Sequence, residues 1–596
     1  MSEVSSRQEN RVTELPLPVA RKTRVTVRSA ANESLVGDIS SQLKISTVTS
    51  RIMVGRGISS IEEAQKFLGP TLKDHLPDPS SMKGAVDAAD LLLDAIEAGK
   101  QITIYSDFDV DGLTSAAQLY LYLRALGATV NHYTPNRFTE GYGLTRSAIE
   151  KLAKASTEVL VTVDCGATSI EEVALAKRLG MQVLIVDHHQ MPIPPAADCI
   201  INPAQPDCAF HPFELCAAGL VWLLLIVLRG RTKGRSLKHA APDPKDFLDL
   251  AAIGTICDMV PLATLNRVIA SRGIDLFRLT KRPGLVALKA VAGVQSTTHL
   301  GAGSIGFAIG PRINAAGRLD DAKCVFELLT TGDANVADTL AKKLDRLNRD
   351  RKDIEDEVKI ACLEQIRTTP SLLEGNAFAL FRPEFHAGVI GIVAQRLVEQ
   401  FHKPAAVMAG GEIEKAGKME QVAKGSVRGI RGFHVAEALQ ALDSLLVKHG
   451  GHAQAGGFTV SLENLERFQA EFIELANRVL TPQMLERERQ ADALVGFSEV
   501  DFGLVDELRK LAPFGMGNPS PLLVTRDVVV DSVQSVAGEH LRLRLSDSGH
   551  TCVGMAWRMQ GHPALRKGNQ ISIAYQPEIN TYQGVSSVQL NIQEVW

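Results

Sequence analysis

The chain has 596 residues, 45% hydrophobic and 22% charged, with a formal net charge of -4. That length exceeds what one hydrophobic core organises, so several domains are expected. The near-balanced charge excludes a chain that is basic throughout, and any nucleic-acid contact must rest on local patches.

Residues 1 to about 30 read as a polar tail, and MSEVSSRQENRVTELPLP has no apolar stretch of the signal-peptide kind. Ser59 to Leu68 is a short helix with Ser59 and Glu62 at capping-box spacing. Ala85 to Ala98 is a helix leading into the first clear strand, Ile102 to Tyr105. Strands and helices then alternate: helix Ser115 to Leu126, strand Thr129 to Tyr133, helix Ser147 to Ala155, strand Val159 to Val163. Helix Ile170 to Leu179 follows, with Thr168 and Glu171 spaced as a capping box, and then strand Val183 to Val186. This order predicts a mostly parallel, doubly wound sheet with helices on both faces.

The longest apolar run, Ala217 to Leu228, falls short of the roughly 20 residues that span a bilayer and reads as a buried core helix. A long charged helix is expected from about Asn335 to Ile366, of the length that commonly bridges two domains. A second α/β unit runs from about Asn376 to Leu480. From about Asp492, LLVTRDVVV, HLRLRLS, TCVGMAW, QISIAYQ and SVQLNIQEV alternate as short strands of a small barrel, with an OB-fold as the first choice. The eight cysteines are scattered and form no CxxC pair, which argues against a zinc ribbon or a disulfide framework and fits a reducing cytoplasm.

Three strings at strand ends carry the chemistry: SDFDVDGLTS (106–115), TVDCG (162–166) and IVDHH (185–189). A fourth, TICDMVPL, places Asp258 after the apolar segment Leu248 to Ile256. In a parallel sheet of this kind ligands bind outside the carboxyl ends of the strands. Asp107, Asp109, Asp164, Asp187 and His188 all fall at that edge. Hard carboxylate oxygens and imidazole nitrogens gathered there suit two divalent cations and phosphodiester cleavage.

Each string has a plainer reading. DFDVDG alone is also a solvated acidic turn, with its three aspartates on one face if extended. It opens like an EF-hand loop too, but the twelfth position is Gln118 and a strand precedes it. VDCG is a common strand end, and CDMVPL a plain terminus. Adjacent histidines after an apolar strand rarely serve packing, because both rings need partners.

DFDVDG, VDCG, VDHH and CDMVPL together resemble, in order and spacing, the motifs of the DHH phosphoesterase superfamily. Within it the likeness is to the single-strand-specific exonuclease branch. TPNRFTEGYGL (134–144), GPRINAAGRLDDA (310–322), FHAGVIGIVAQRL (385–397), KGSVRG (424–429), GGHAQAGGF (450–458) and PFGMGNPSP (513–521) extend the likeness over almost the whole chain. It implies an N-terminal tail and cap segment over 1–80 and a DHH catalytic domain over 81–275. A helical linker over 276–366, a DHH-associated domain over 367–480 and an OB-fold over 481–596 follow.

The resemblance also implies roles. Asp107, Asp109, Asp164, His188 and Asp258 would hold two Mn²⁺ or Mg²⁺ ions, with Asp164 shared. Asp187 and His189 would be supporting or substrate-side catalytic groups, and Asp111 would brace the turn. Tyr105 stands where many members carry His, so one metal would lack a ligand or bind more weakly. Arg137 would meet DNA phosphate; Arg312, Asn314 and Arg318 would face the scissile phosphate. Ser426 and Arg428 match a 5′-phosphate string usually read GSGRS, altered here by Val427 and Gly429. Gly451 and His452 would help hold the same phosphate, with Gly456 where Ala is usual. Trp557, Tyr575 and Tyr582 could stack on bases or pack the barrel core.

The expected activity is 5′ to 3′ hydrolysis of single-stranded DNA to 5′ mononucleotides, in repair and recombination. A groove between the α/β units would admit one strand and exclude a duplex. A single-strand-binding protein and a helicase are implied as partners, and the cytoplasm as location. The alternatives are a DHH phosphodiesterase of short oligonucleotides or cyclic dinucleotides, and a catalytically silent nucleic-acid-binding scaffold.

Overall fold

The computed structural model describes residues 23–30, 32–137, 139–210, 214–294, 300–415 and 418–596. The chain forms two compact units: Val27–Asp350 with Gln490–Trp596, and Arg351–Arg489 with residues 23–26. Most of the expected polar tail, and Phe138 of the 134–144 string, lie outside the described residues.

The larger unit is built on a parallel sheet. Its strands are β1 (Gln101–Ser106), β2 (Thr129–Tyr133), β3 (Val159–Val163), β4 (Gln182–Val186) and β5 (Cys199–Ile201). The order is β2-β1-β3-β4-β5, and every neighbouring pair is parallel. All five residues of β3 are buried, as continuous β-branched runs require when helices cover both faces. The connecting helices are α1 (Val110–Ala125), α2 (Arg146–Lys154) and α3 (Ile170–Arg178). The chain leaves β1 toward β2 and returns past it to β3. The crevice between β1 and β3 is therefore the switch point where such sheets place ligands.

The apolar run Ala217 to Leu228 lies within α4 (Ala217–Arg231), hydrophobic on all sides and buried in the same core. Trp222 donates from its indole N–H to Pro244 O at 2.9 Å. Among the described residues no helix is long and apolar enough to cross a membrane. Helix α5 (Leu248–Cys257) packs against α1 and α4, and α6 (Gly310–Leu319) follows further on. The long charged helix is α7 (Ala334–Thr368), 35 residues that continue from one unit into the other.

Both capping boxes come out differently. The helix Ile61–Leu68 takes Ser60 as its N-cap, with Ser60 Oγ accepting from Glu63 N at 3.1 Å. Ser59 instead donates to Glu63 Oε2, so the reciprocal pattern is offset by one residue. Helix α3 starts after Ser169, and no side chain caps it.

The smaller unit has a sheet of β6 (Phe378–Arg382), β7 (Ala405–Lys415), β8 (Lys418–Arg428), β9 (Leu446–Gly451) and β10 (Ala455–Ser461), in the order β9-β10-β8-β7-β6. Helices α8 (Ile390–Phe401) and α9 (Leu465–Val479) contribute to its core.

The C-terminal strands are β11 (Leu523–Val536), β12 (His540–Asp547), β13 (His550–Ala556), β14 (Gln570–Tyr582) and β15 (Val585–Val595). They close into a five-stranded barrel because β11 pairs with both β12 and β14. Tyr575 is fully buried there, its hydroxyl 2.9 Å from Thr525 Oγ1, which removes it from the aromatics that could stack on bases. Trp557 and Tyr582 are exposed.

Candidate metal centre

The turn between β1 and α1 sets out the first carboxylates. The expected helix at Ser115 begins five residues earlier, at Val110, because Asp109 caps it. Asp109 Oδ1 accepts from Asp111 N at 2.9 Å and Gly112 N at 3.1 Å, which satisfies orphan donors of the first turn. Asp107, Asp109 and Asp111 are thus not an alternating extended face; Asp111 sits inside the helix. Asp111 is buried, and its two oxygens accept from Ala217 N at 2.7 Å and Ala218 N at 2.9 Å at the start of α4. A Cβ on Gly112 would lie 2.7 Å from Asp107 O, so only glycine lets the turn close.

Asp164 follows β3 with φ of +60°, a left-handed conformation that Asp tolerates better than most residues and that marks local strain. Asp187 follows β4 and is almost fully engaged. Its Oδ1 accepts from His188 N (2.8 Å), His189 N (3.1 Å) and His189 Nδ1 (2.7 Å), and its Oδ2 from Ala167 N (2.8 Å). Asp258 ends α5. Its loop is held by the PFGMGNPSP connector, where Leu262 N donates to Met516 O at 2.8 Å. A Cβ on Gly517 would meet Pro261 at 3.1 Å.

Three sets of donors converge: Asp107, Asp109 and Asp164; Asp164, His188 and His189; Asp111, His188 and Asp258. The donor atoms of each set lie within 4.8 Å of one another. His188 Nε2 is 3.3 Å from Asp164 Oδ1 and 3.7 Å from Asp258 Oδ2. Asp164 belongs to two sets and so stands between adjacent positions.

The electrostatics fit cations. Burial, followed by neighbouring carboxylates, pushes Asp107 and Asp164 well above the usual carboxylate range and Asp258 up to about 8. Burial holds His188 below its ordinary value, in the neutral form that ligates metal. The hydrogen bond to Asp187 raises His189 to about 9. Asp107 Oδ1 and His188 Nε2 are buried without a hydrogen-bond partner. Unpaired buried polar atoms in a carboxylate cluster are what hard divalent cations satisfy. Below about pH 8 Asp258 carries a proton that a cation must displace. Mn²⁺ uptake should therefore release protons, and affinity should rise from about pH 6 to about pH 8. Calorimetry in two buffers of different ionisation enthalpy measures the release, and equal heats in both would refute it.

The remaining residues divide. Arg137 lies over the Phe108 ring at 5.2 Å, with Asp107 and Asp109 as its electrostatic partners. Arg312 is engaged within the protein. It pairs with Asp345 at 2.9 Å and donates to Ala308 O at 2.7 Å and Val291 O at 3.3 Å, so it ties α6 to α7. Asn314 Oδ1 accepts from Val110 N at 3.2 Å, which makes it a brace for the start of α1. Arg318 is half-buried in the last turn of α6. Tyr105 is buried, donates to Gly143 O at 2.8 Å and stacks on Tyr133, and the donor sets form without it. Sequence reasoning passed over Tyr142, an exposed ring between Phe108 (6.4 Å) and His189 (6.3 Å). The EGYGL string was the available signal.

In the smaller unit, Arg428 Nη1 donates to Ser426 Oγ at 2.9 Å. A Cβ on Gly391, in the first turn of α8, would lie 3.0 Å from Ser426 Oγ and 3.1 Å from Arg428 Nη2. Arg428 pairs with Ala455, and Gly429 N donates to Gln454 O at 2.9 Å. The β9–β10 turn carrying Gly451 and the exposed His452 thus stands at the same end of the sheet.

A parallel sheet with carboxylates and a His pair at its switch point, joined to a second α/β unit, defines a DHH-type phosphoesterase. Family comparison agrees: the DHH family N-terminal domain matches residues 101–255, the DHHA1 domain 374–478 and the RecJ OB domain 491–594. The single-stranded-DNA-specific exonuclease RecJ of Escherichia coli (strain K12) is 35% identical over 569 residues, covering 92% of this chain and 95% of that protein. RecJ of Bacillus subtilis (strain 168) is 32% identical over 568 residues, 94% of this chain and 70% of that one. The crystal structure of RecJ in complex with Mn²⁺ from Thermus thermophilus superposes with a TM-score of 0.82 at 30% identity, covering 96% of this chain and 79% of that chain. The chain belongs to the RecJ family of DHH phosphoesterases.

Proposed function

We propose that this protein is a metal-dependent exonuclease that degrades single-stranded DNA from the 5′ end and releases 5′ mononucleotides. The observation that carries this reading is Asp164, a buried carboxylate common to two sets of donor atoms. Two divalent cations, Mn²⁺ or Mg²⁺, would be held by Asp107, Asp109, Asp164, His188 and Asp258. Bound there, they supply Lewis-acid polarisation of the phosphodiester and activation of water. Asp187 fixes the orientation of His189, which is protonated at neutral pH and offers positive charge to the phosphate. Arg137 and Arg318 would steer the DNA backbone. Ser426, Arg428, Gly451 and His452 would receive the 5′ end.

Relatives named single-stranded-DNA-specific exonucleases, matched over 92% of this chain, favour DNA over cyclic dinucleotides. The acidic site, with buried polar atoms left unpaired, favours an enzyme over a silent scaffold. A single-strand-binding protein and a helicase are the partners this reading implies, and the cytoplasm its location. The test is digestion of end-labelled single-stranded DNA with Mn²⁺ or Mg²⁺, beside a blunt duplex and a cyclic dinucleotide. Mononucleotides should appear from the single strand alone, and faster turnover of the cyclic dinucleotide would overturn the assignment.

The 5′ preference should be modest. KGSVRG lacks one hydroxyl of the usual string, and one hydrogen bond corresponds to about tenfold in rate or affinity. We expect 5′-phosphate ends to be degraded less than about tenfold faster than 5′-hydroxyl ends. A ratio in the hundreds would mean that Ser426 and Arg428 suffice.

A further inference from the structure

Tyr105 is buried in β1, two residues before Asp107, and its hydroxyl is committed to a loop. It donates to Gly143 O at 2.8 Å, where the backbone is left-handed with φ of +79°. The side chain lies in one buried cluster with Leu144, Ala148 and Ile149, which follow that loop. The parallel register sets Tyr105 opposite Tyr133 of β2, and the two rings stack with centroids 5.4 Å apart.

Tyr133 reaches the same loop at a second point. Its hydroxyl donates to the Glu140 carboxylate, 2.9 Å from Oε1 and 2.7 Å from Oε2. Lys151 of α2 pairs with that carboxylate at 2.9 Å. Glu140 N and Gly141 N in turn donate to Asn136 O, at 2.8 and 3.3 Å. Two stacked tyrosines on adjacent strands therefore fasten the 136–144 loop at Glu140 and at Gly143.

The loop carries Arg137 and Tyr142. The Arg137 guanidinium lies 5.2 Å over the Phe108 ring, with Asp107 and Asp109 as electrostatic partners. Tyr142 stands between Phe108 and His189. A binding group on a loop keeps a productive position only when packing and hydrogen bonds behind it fix the backbone.

We propose that Tyr105 is a positioning residue for the DNA strand. Acting with Tyr133, it holds the 136–144 loop so that Arg137 meets the DNA backbone beside the metal centre. The proposal rests on the nuclease reading above and on the part of Arg137 in it. It assigns Tyr105 to the grip on the strand and not to metal affinity.

Tyr105→Phe removes the hydroxyl and keeps the ring, and Tyr133→Phe removes the donor to Glu140. Hydrogen exchange read by mass spectrometry should show the 139–144 amides exchanging at least about threefold faster in either variant. Unchanged exchange in the strands of the sheet shows that the fold is intact. On single-stranded DNA, Tyr105→Phe should raise the half-saturating DNA concentration about three- to tenfold, the worth of one neutral hydrogen bond. The saturating single-turnover rate and the Mn²⁺ dependence should stay within about twofold of native. Arg137→Ala should weaken DNA binding further, and the two effects should not add in the double variant, because loosening the loop and removing the group it presents are one loss. Native exchange at 139–144, native DNA affinity in Tyr105→Phe, weakened Mn²⁺ uptake in that variant, or additive effects with Arg137→Ala would each overturn the proposal. Where the native chain degrades single-stranded DNA, any of these results refutes this inference alone. A native chain that does not degrade it refutes the nuclease reading, and the inference with it.

Discussion

Asp164→Ala should reduce turnover on single-stranded DNA by on the order of 10³-fold or more, the equivalent of several kcal/mol of barrier. Asp164 is buried, belongs to two donor sets and lies 3.3 Å from His188 Nε2, so its removal disturbs both cation positions at once. Asp109→Ala and His188→Ala should act in the same direction. Asp164→Asn is the sharper test, since Asn also tolerates the left-handed backbone and removes only the charge. Single-turnover assays on 5′-labelled DNA at saturating Mn²⁺ give the rate, and filter binding without turnover gives the affinity. Binding should be largely retained. Near-native turnover in the Asn variant would remove Asp164 from the site.

Asp111→Ala should cost about 3 kcal/mol of stability, read as a lowered urea midpoint. Both carboxylate oxygens accept backbone N–H groups from the first turn of α4, and alanine would leave those donors buried and unpaired. The cost is moderated because burial, despite these donors and the attraction of His188, raises Asp111 above the usual carboxylate range. Asp111→Asn keeps one acceptor and should lose less. If Asp111 is a brace, the Asn variant keeps its Mn²⁺ affinity. Intact stability with collapsed Mn²⁺ affinity would make it a ligand instead.

The parallel sheet was legible because its strands are short buried β-branched runs separated by helices of ordinary spacing. Once that topology was read, Asp107, Asp164 and Asp187 had to fall at one edge. The turn after β1 was not legible, because alternation at Asp107, Asp109 and Asp111 suits a strand as well as a helix start. Capping by Asp109 Oδ1 decides the matter, and that bond has no period. The ion pair of Arg312 was not legible for a different reason: Asp345, its partner, lies on the next long helix, and nothing near GPRINAAGR announces it. Both capping boxes failed locally. Ser59 and Ser60 are adjacent and compete for one glutamate, and α3 begins without a side-chain cap. The OB barrel was readable from strand alternation, but not the burial of Tyr575, which follows from barrel closure.

The Asp258 loop is not self-supporting. Leu262 N is bonded to Met516 O, and Pro261 packs on Gly517, so the loop of a proposed metal ligand is anchored by the connector that leads into the barrel. Ending the chain before residue 490 would spare the parallel sheet yet unfasten Asp258. Such a truncation should show weakened Mn²⁺ uptake even in the absence of DNA. Loss of activity on removing the barrel would then report a slackened hinge pin in the metal site, and not merely a missing grip on the strand.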